Sequence, residues 1–466
     1  MTSSSPQKAL LWIVASAFFM QTLDTTIVNT ALPAMAQNLG VSPLSMQPVI
    51  VAYSLTMAML IPASGWLADR FGTRQVYFYA ILIFVLGSVF CAAAGSLNQL
   101  IAARVIQGIG GSMLLPIGRL AVLRSVSSEQ YITALSFISI AGQVGPLFGP
   151  TLGGFLVQAV SWHWIFLINV PIGIVGLLAV RRYLKSDALP EPLPFDIVGC
   201  VLLSVCMVAF SLAMDAPPGA HRALWWMVGI GISAISALLY VAHAKRRPHP
   251  LFRLGLFREP NFSVGLIGNL VCRIGCAAVP FLLPLLMQLQ LGYSPLQSGL
   301  MMLPAAIAGV IAKPCIGPLV RRYGYETFLL VNTLVTGLAI MSFAVISPGW
   351  PLALEIIQLA IFGAGNSMQF AAMNSVTLKG LKPHDAGAGN SLFSMVQMLA
   401  VGLGVTLGGG LVTLFSGQPT GTGAGFALTF LVVGAITLVS AWIFRKLDPA
   451  TTTKPAPDAR SAGAAR

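Results

Sequence analysis

Apolar residues run along this chain in stretches of roughly 18 or more, broken only by short clusters of charge or of Pro, Gly and Asn. A helix needs that length to cross a bilayer. The stretches fall near residues 9–34, 47–67, 76–97, 99–122, 132–158 and 164–183, then near 196–214 and 223–243. Six more follow near 261–290, 297–320, 327–347, 351–376, 387–416 and 424–444. The pattern predicts an all-α polytopic membrane protein of fourteen spans, arranged six, two and six. The loops are too short to hold an independently folded domain. Ala34, Met35 and Ala36 read like a small-residue cleavage site, but the first stretch is too long for a signal peptide, contains Asp24 and is preceded only by Lys8.

Composition removes the soluble classes. Of 466 residues 56 % are hydrophobic and 8 % are charged, against about 25 % charged in ordinary soluble chains. The net charge of +13 needs another explanation than a polyanionic partner, because the basic residues are dispersed one to five at a time between spans; no nucleic-acid partner is expected. Lys and Arg in alternate loops set topology instead. Twenty-two of the 26 lie on the side of the N-terminus, only Arg222 lies opposite, and Arg104, Arg273 and Lys313 fall inside spans. Both termini are expected on the cytoplasmic side of the membrane, which the chain crosses many times. All six cysteines lie within apolar spans with no CxxC and no nearby His pair, so neither a metal site nor a disulfide framework is expected.

The chain repeats itself. GWLADRFG, Gly65 to Gly72, returns as GPLVRRYG, Gly317 to Gly324, at an offset of 252. FGPTLGGFLV, Phe148 to Val157, returns as LGVTLGGGLV, Leu403 to Val412, at an offset of 255. Two matches at nearly one offset make the second and tenth spans, and the fifth and thirteenth, equivalent members of two six-helix halves. The expected division is an N-terminal bundle over 1–190, a two-helix linking hairpin over 191–250, a C-terminal bundle over 251–446 and a disordered cytoplasmic tail over 447–466. Parallel repeats around a midplane cavity are the architecture of a rocking, alternating-access transporter.

Those motifs carry a resemblance. GWLADRFGTR resembles the loop motif of the major facilitator superfamily, and AARVIQGIGGS, Ala102 to Ser112, resembles the fourth-span motif of its drug:proton antiporters. GQVGPLFGPTLGG, Gly142 to Gly154, is similar to the fifth-span signature associated with antiporters. LDTTIVNTALP, Leu23 to Pro33, and WIFLINVPIG, Trp164 to Gly173, resemble the fourteen-span branch. The likeness covers residues 9 to 445. It implies the major facilitator fold, two six-helix bundles related by a pseudo-twofold axis plus two linking helices, and proton-coupled export with no cofactor besides the gradient. Two departures stand out: His163 where the branch usually has Arg before WIF, and Arg321 at the repeat position of Asp69.

Asp24 is the sharpest single feature. A carboxylate near the middle of a span costs several kcal/mol, and such groups usually face a cavity and carry a proton or cation. It could instead cap a broken helix or bond to Thr25, Thr26 or Asn29. Arg104 lies about 8 Å from the distal end of the fourth span and Asp24 about 15 Å from that of the first, within one long side chain of each other. Arg104 could also only satisfy carbonyls of a neighbouring helix; the resemblance implies a part in proton coupling. Arg273, about 18 Å into the ninth span, could bind an anionic substrate or pair with Asp24 or with Glu355, the latter read as interfacial. Lys313 is near enough to a span end to snorkel.

Gly65, Asp69, Arg70, Gly72 and Arg74 form a candidate conformational gate. Gly65 would let the second span approach its neighbour, and Asp69 would cap a helix or pair with Arg74 or an arginine of a nearby loop. In the fifth span Gly145, Gly149, Gly153 and Gly154 offer a small-residue stripe, while Pro146 and Pro150 remove two backbone donors and bend the helix. Asn269, Gln107, Gln143 and Tyr53 are candidates for the substrate cavity, although any one such group is more often an interhelical hydrogen bond.

The leading function is a proton-driven exporter, expected to be monomeric, with a small-molecule cargo of multidrug type. The alternative is an exporter of a specific anionic metabolite or metal chelate, because two arginines against one secure midplane acid suit a dication poorly. A channel belongs to another class and would not need two rocking halves. No HExxH, GxSxG, paired intramembrane Asp or Cys-His set marks an enzyme.

Overall fold

A computed structural model describes residues 5–125, 128–184, 194–214, 222–379, 381, 386–416 and 421–447. The tail expected to be disordered lies outside the described residues, apart from Leu447. Every regular element among them is helical. Thirteen segments are long and apolar enough to cross a membrane. One of these, Pro295–Val345, has 51 residues, about 76 Å of helix and so more than twice a hydrocarbon thickness. It is broken at Gly324, whose φ of 79° and ψ of 165° are not helical, and it therefore makes two crossings. The described residues thus hold fourteen spans.

The first six spans are Ser5–Asn38, Gln47–Leu60 continued through Ser64–Phe71, Thr73–Ala92, Leu97–Ser125, Ser128–Ala159, and Trp164–Leu167 with Asn169–Tyr183. The seventh and eighth are Ile197–Met214 and Arg222–Arg246. The ninth is Pro260–Leu289; the tenth runs from Pro295 to the break at Gly324 and the eleventh from there to Ser342; the last three are Leu352–Lys379, Ala386–Ser416 and Gly421–Phe444. The bundle end that holds the N-terminus is called here the terminal face, and the other end the distal face.

The repeat seen in the sequence is also a repeat of backbone. Gly72 has φ 82° and ψ 148°, close to Gly324 at the same repeat position. Only glycine adopts this region without strain. Both glycines turn the chain between spans, so the second half keeps one assigned helix, Ile316–Ser342, where the motif had predicted a loop.

The fifth span packs along the first because its stripe has no side chains. A Cβ at Gly145 would meet Thr22, one at Gly149 would meet Thr26, and one at Gly153 would meet Ile27 and Thr30. The threonine hydroxyls facing that stripe bond back to their own helix, Thr22 to Phe18 O at 2.9 Å and Thr26 to Thr22 O at 3.1 Å. The contact is thus close and polar-satisfied. The fifth span continues as one assigned helix through Pro146 and Pro150.

The first six spans meet the last six along three seams: the first span on the ninth, the second on the thirteenth and the fifth on the tenth. Three hydrogen bonds between described residues of the two sets lie toward the distal face. Thr151 Oγ1 donates to Gly299 O at 3.1 Å, Gln288 Nε2 to Thr30 O at 3.0 Å, and Leu296 N to Gln158 Oε1 at 3.4 Å. Gly154 and Gly299 make this contact possible, since a Cβ on either would overlap a backbone carbonyl of the opposite helix, Pro295 O or Pro150 O. The linking hairpin leans on the second seam: Cys200 Sγ reaches Met59 O at 3.8 Å, and Met207 and Leu202 join a cluster with Ala58, Leu392 and Met395.

Candidate functional site

Five spans of the first half converge on Asp24. Its carboxylate accepts from Arg104 Nη1 at 2.6 Å on one oxygen, and from Gln107 Nε2 at 2.7 Å and Asn169 Nδ2 at 3.2 Å on the other. Arg104 also donates through Nε to Val49 O at 3.1 Å and through Nη1 to Gln107 Oε1. Its guanidinium lies 4.1 Å from the centroid of the Tyr53 ring. Ser88 Oγ receives both Gln107 Nε2 and Asn169 Nδ2, at 2.8 and 3.2 Å. Asp24, Arg104, Gln107, Ser88 and Asn169 are each no more than 1 % exposed.

Helix geometry explains the assembly. Arg104 and Gln107 sit one turn apart on the same face of the fourth span, so both reach the same acid. Depth in the membrane brings Asp24 level with them. Thr25 and Thr26 bond instead to Gln21 O and to Thr22 O and Leu23 O; the reading of Asp24 as a local cap does not describe this structure. An ion pair buried this completely persists only because the remaining lone pairs and donors are also satisfied.

Ser88 and Asn169 were missed by the sequence reading. Asn169 lies within the WIFLINVPIG stretch, where an amide among apolar residues was the available signal; Ser88 gave none. Cys91, read as a packing residue, touches the network through Gln107 Oε1 at 3.7 Å. Gln143 is half-buried on the fifth span, and Asp24 has no bond to it.

Arg273 is placed apart from every acid among the described residues. Its guanidinium stacks over Phe370 at 4.2 Å from the ring centroid, and its Nε is buried without a partner. Both amide atoms of Asn269, one turn earlier on the same helix, are likewise buried and unpartnered. The two counter-ion readings of Arg273 are corrected: Asp24 is held by Arg104, and Glu355 by the Tyr293 hydroxyl at 3.0 Å. Glu355 lies in the first turn of its helix, at the interfacial depth expected of it, but it is covered by protein there. It is 1 % exposed, because the Tyr293 loop folds over the first turn of its helix.

The gate residues resolve into one ion pair and one backbone anchor. Asp69 Oδ1 takes Arg124 Nη2 at 2.6 Å, tying the last turn of the second span to the end of the fourth. Arg74 Nη2 instead donates to Arg181 O at 2.8 Å, and Arg70 is exposed. Gly65 does not serve close approach, since a Cβ there would meet nothing within 4 Å. In the second half, where Arg321 stands for Asp69, Lys379 lies over the Tyr325 ring at 5.6 Å. Asp69 and Arg124 are 37 % and 28 % exposed, so the pair contributes at most about 1 kcal/mol. Asp69→Asn should therefore leave thermal stability nearly unchanged. If the pair holds one conformation, that substitution slows transport severalfold and the swap Asp69→Arg with Arg124→Asp restores it; a slow swap variant would argue against the pairing.

Two repeated sets of six spans, the first built around a buried charge network, with two more spans between them, define a polytopic membrane transporter. A model of the Major Facilitator Superfamily matches residues 14–405, and a second match covers 265–465; the chain belongs to that superfamily. MdtD of Salmonella heidelberg (strain SL476), provisionally named a multidrug resistance protein, is 45 % identical over 446 residues, covering 94 % of each chain. MdtD of Salmonella typhi has the same identity and coverage. Among solved structures, the POT family transporter PepTSo matches with a TM-score of 0.71 at 14 % identity, over 94 % of this chain and 97 % of its own. The D-xylose-proton symporter matches with a TM-score of 0.70 at 14 % identity, over 96 % and 99 %. At that identity the likeness concerns the fold alone. The chain is a secondary transporter that handles small molecules within a bilayer, and not an enzyme.

Proposed function

We propose that this protein is a proton-driven exporter of the bacterial inner membrane, monomeric, with both termini in the cytoplasm, and that the bundle over 1–190 rocks against the bundle over 251–446. The observation that carries this reading is the Asp24 carboxylate, wholly buried and holding Arg104, Gln107 and Asn169. A proton arriving on Asp24 removes the charge that fixes Arg104 and turns one acceptor into a donor. Helices one, two, four and six lose a shared anchor, and the distal seams can part. Loss of the proton restores it. The gradient is then the only energy source needed, with no resident cofactor. Multidrug-type cargo is supported by the provisional name of the MdtD relatives, and export by the likeness of the fifth span to the antiporter signature.

A second reading of cargo rests on Arg273. A half-buried guanidinium whose Nε is buried without a partner, with no acid paired to it among the described residues, suits an anion better than a dication. The cargo would then be an anionic metabolite or a metal chelate of one. Both readings are tested by comparing retention of drugs and of organic acids in cells with and without the gene, then with Asp24→Asn and Arg273→Gln. Asp24→Asn should raise retention of whatever the protein exports. Arg273→Gln should do so only for an anionic cargo; unimpaired export of that cargo would remove Arg273 from the substrate contacts.

A further inference from the structure

Among the described residues the eighth span is the least buried, with 17 % of its apolar window inside the protein, and the seventh has 28 %, as the fifth does, against 67 % for the ninth. Lipid therefore surrounds the hairpin. Near the terminal face these two helices leave a pocket of about 330 Å³ between them, lined by Leu202, Leu239, Ala242, His243 and Arg246. The lining changes character with depth. Arg246 ends its helix, while Leu239 lies about 10 Å further into the membrane and Leu202 about 8 Å in from the start of the seventh span. That gradient, charge at the edge and leucine below, matches a phospholipid standing in one leaflet.

The charge is available. Asp196, the one acid beside the pocket among the described residues, is already occupied: it takes the Gly199 and Leu251 N–H groups at 3.1 and 3.0 Å, His243 Nε2 at 2.7 Å and Arg247 at 3.6 Å. Arg246 and Lys245 are exposed and have no acidic partner among the described residues. Arg253 and Arg258 add to the same basic foot. Basic pockets between spans bind anionic headgroups, each nearby Lys or Arg adding to the attraction.

We infer that the pocket between the seventh and eighth spans holds one anionic phospholipid, its phosphodiester on Arg246 beside His243 and an acyl chain over Leu239 and Leu202. Leu202 packs on the cluster that joins the second and thirteenth spans. A bound lipid thus braces the hairpin against a seam that must slide when the halves rock.

The test is a titration of the purified full-length protein in uncharged detergent with phosphatidylglycerol, bound lipid being counted by native mass spectrometry. Arg246→Gln should weaken retention of the lipid about fivefold. Ala242→Trp, which fills the pocket and leaves every charge in place, should abolish the saturable lipid. Both positions are exposed, so folding is not at stake. Arg445→Gln, on the same face at the end of the fourteenth span, should change nothing, and soluble glycerol phosphate at millimolar concentration should not compete. Equal loss in Arg445→Gln, equal retention of phosphatidylcholine, survival of the bound lipid in Ala242→Trp, or displacement by glycerol phosphate would each overturn the site.

Discussion

Asp24→Asn is expected to destabilise the folded protein by about 3 kcal/mol, because it leaves the Arg104 guanidinium charged, 1 % exposed and without a counter-charge. Arg104→Gln should do the same from the other side, leaving the carboxylate with its two amide donors only. The two single losses should not add. Asp24→Asn combined with Arg104→Gln removes both charges and keeps groups able to hydrogen-bond, so most of the stability returns. Transport should not return with it, since the double variant has no group left to carry the proton. Thermal melting of the four proteins in detergent, set beside gradient-driven transport, separates the structural from the coupling role. A double variant that regains both would make the pair a structural strut.

The second large effect is expected at the distal seam. Gly154→Val places a side chain where Pro295 O of the opposite helix now lies, and Gly299→Val does the same against Pro150 O. Backbone cannot swing aside as a side chain can, so the two halves must separate to accept either. Overpacking of this kind costs about 1–3 kcal/mol. Since the cost falls only on the distally closed state, it shifts the conformational balance by roughly fivefold to a hundredfold. Transport should fall by about fivefold or more while the protein stays folded. Spin labels attached through Gln37→Cys and Ser347→Cys, at exposed distal positions of the two halves, should report a longer distance in Gly154→Val. An unchanged distance together with unchanged transport would mean that the fifth and tenth spans need not close.

Much of this was legible along the chain, for definite reasons. Span positions follow from apolar length alone, and the pairing of Asp24 with Arg104 followed from depth, because rise per residue fixes how far each group sits from the distal end. The repeat foretold a matching pair of glycines, and both have the same unusual backbone. Other features had little or no linear signal. Ser88 looks like any small polar residue in an apolar helix and the amide of Asn169 marks itself only faintly; the convergence of five spans selects both. Arg74 and an arginine of some nearby loop were both open as partners for Asp69, and the choice of Arg124 depends on where the fourth span ends in space. Glu355 lies near a span end as its position predicts, but its burial there and its bond to Tyr293 depend on a loop from another part of the chain. Gly65 was assigned to close packing from motif position, yet its neighbours stand back. The hairpin pocket required two helices to be placed side by side before its lining could be read.

The central claim is that Asp24 couples a proton to cargo movement. Inside-out vesicles carrying the protein, with a pre-formed pH gradient reported by a fluorescent dye, test it directly. Adding an exported compound should collapse the gradient in the native protein and leave it intact in the stabilised Asp24→Asn, Arg104→Gln double variant. Cargo flux that proceeds without a gradient, or a collapse that survives in the double variant, would contradict the account and favour a channel or a different coupling site.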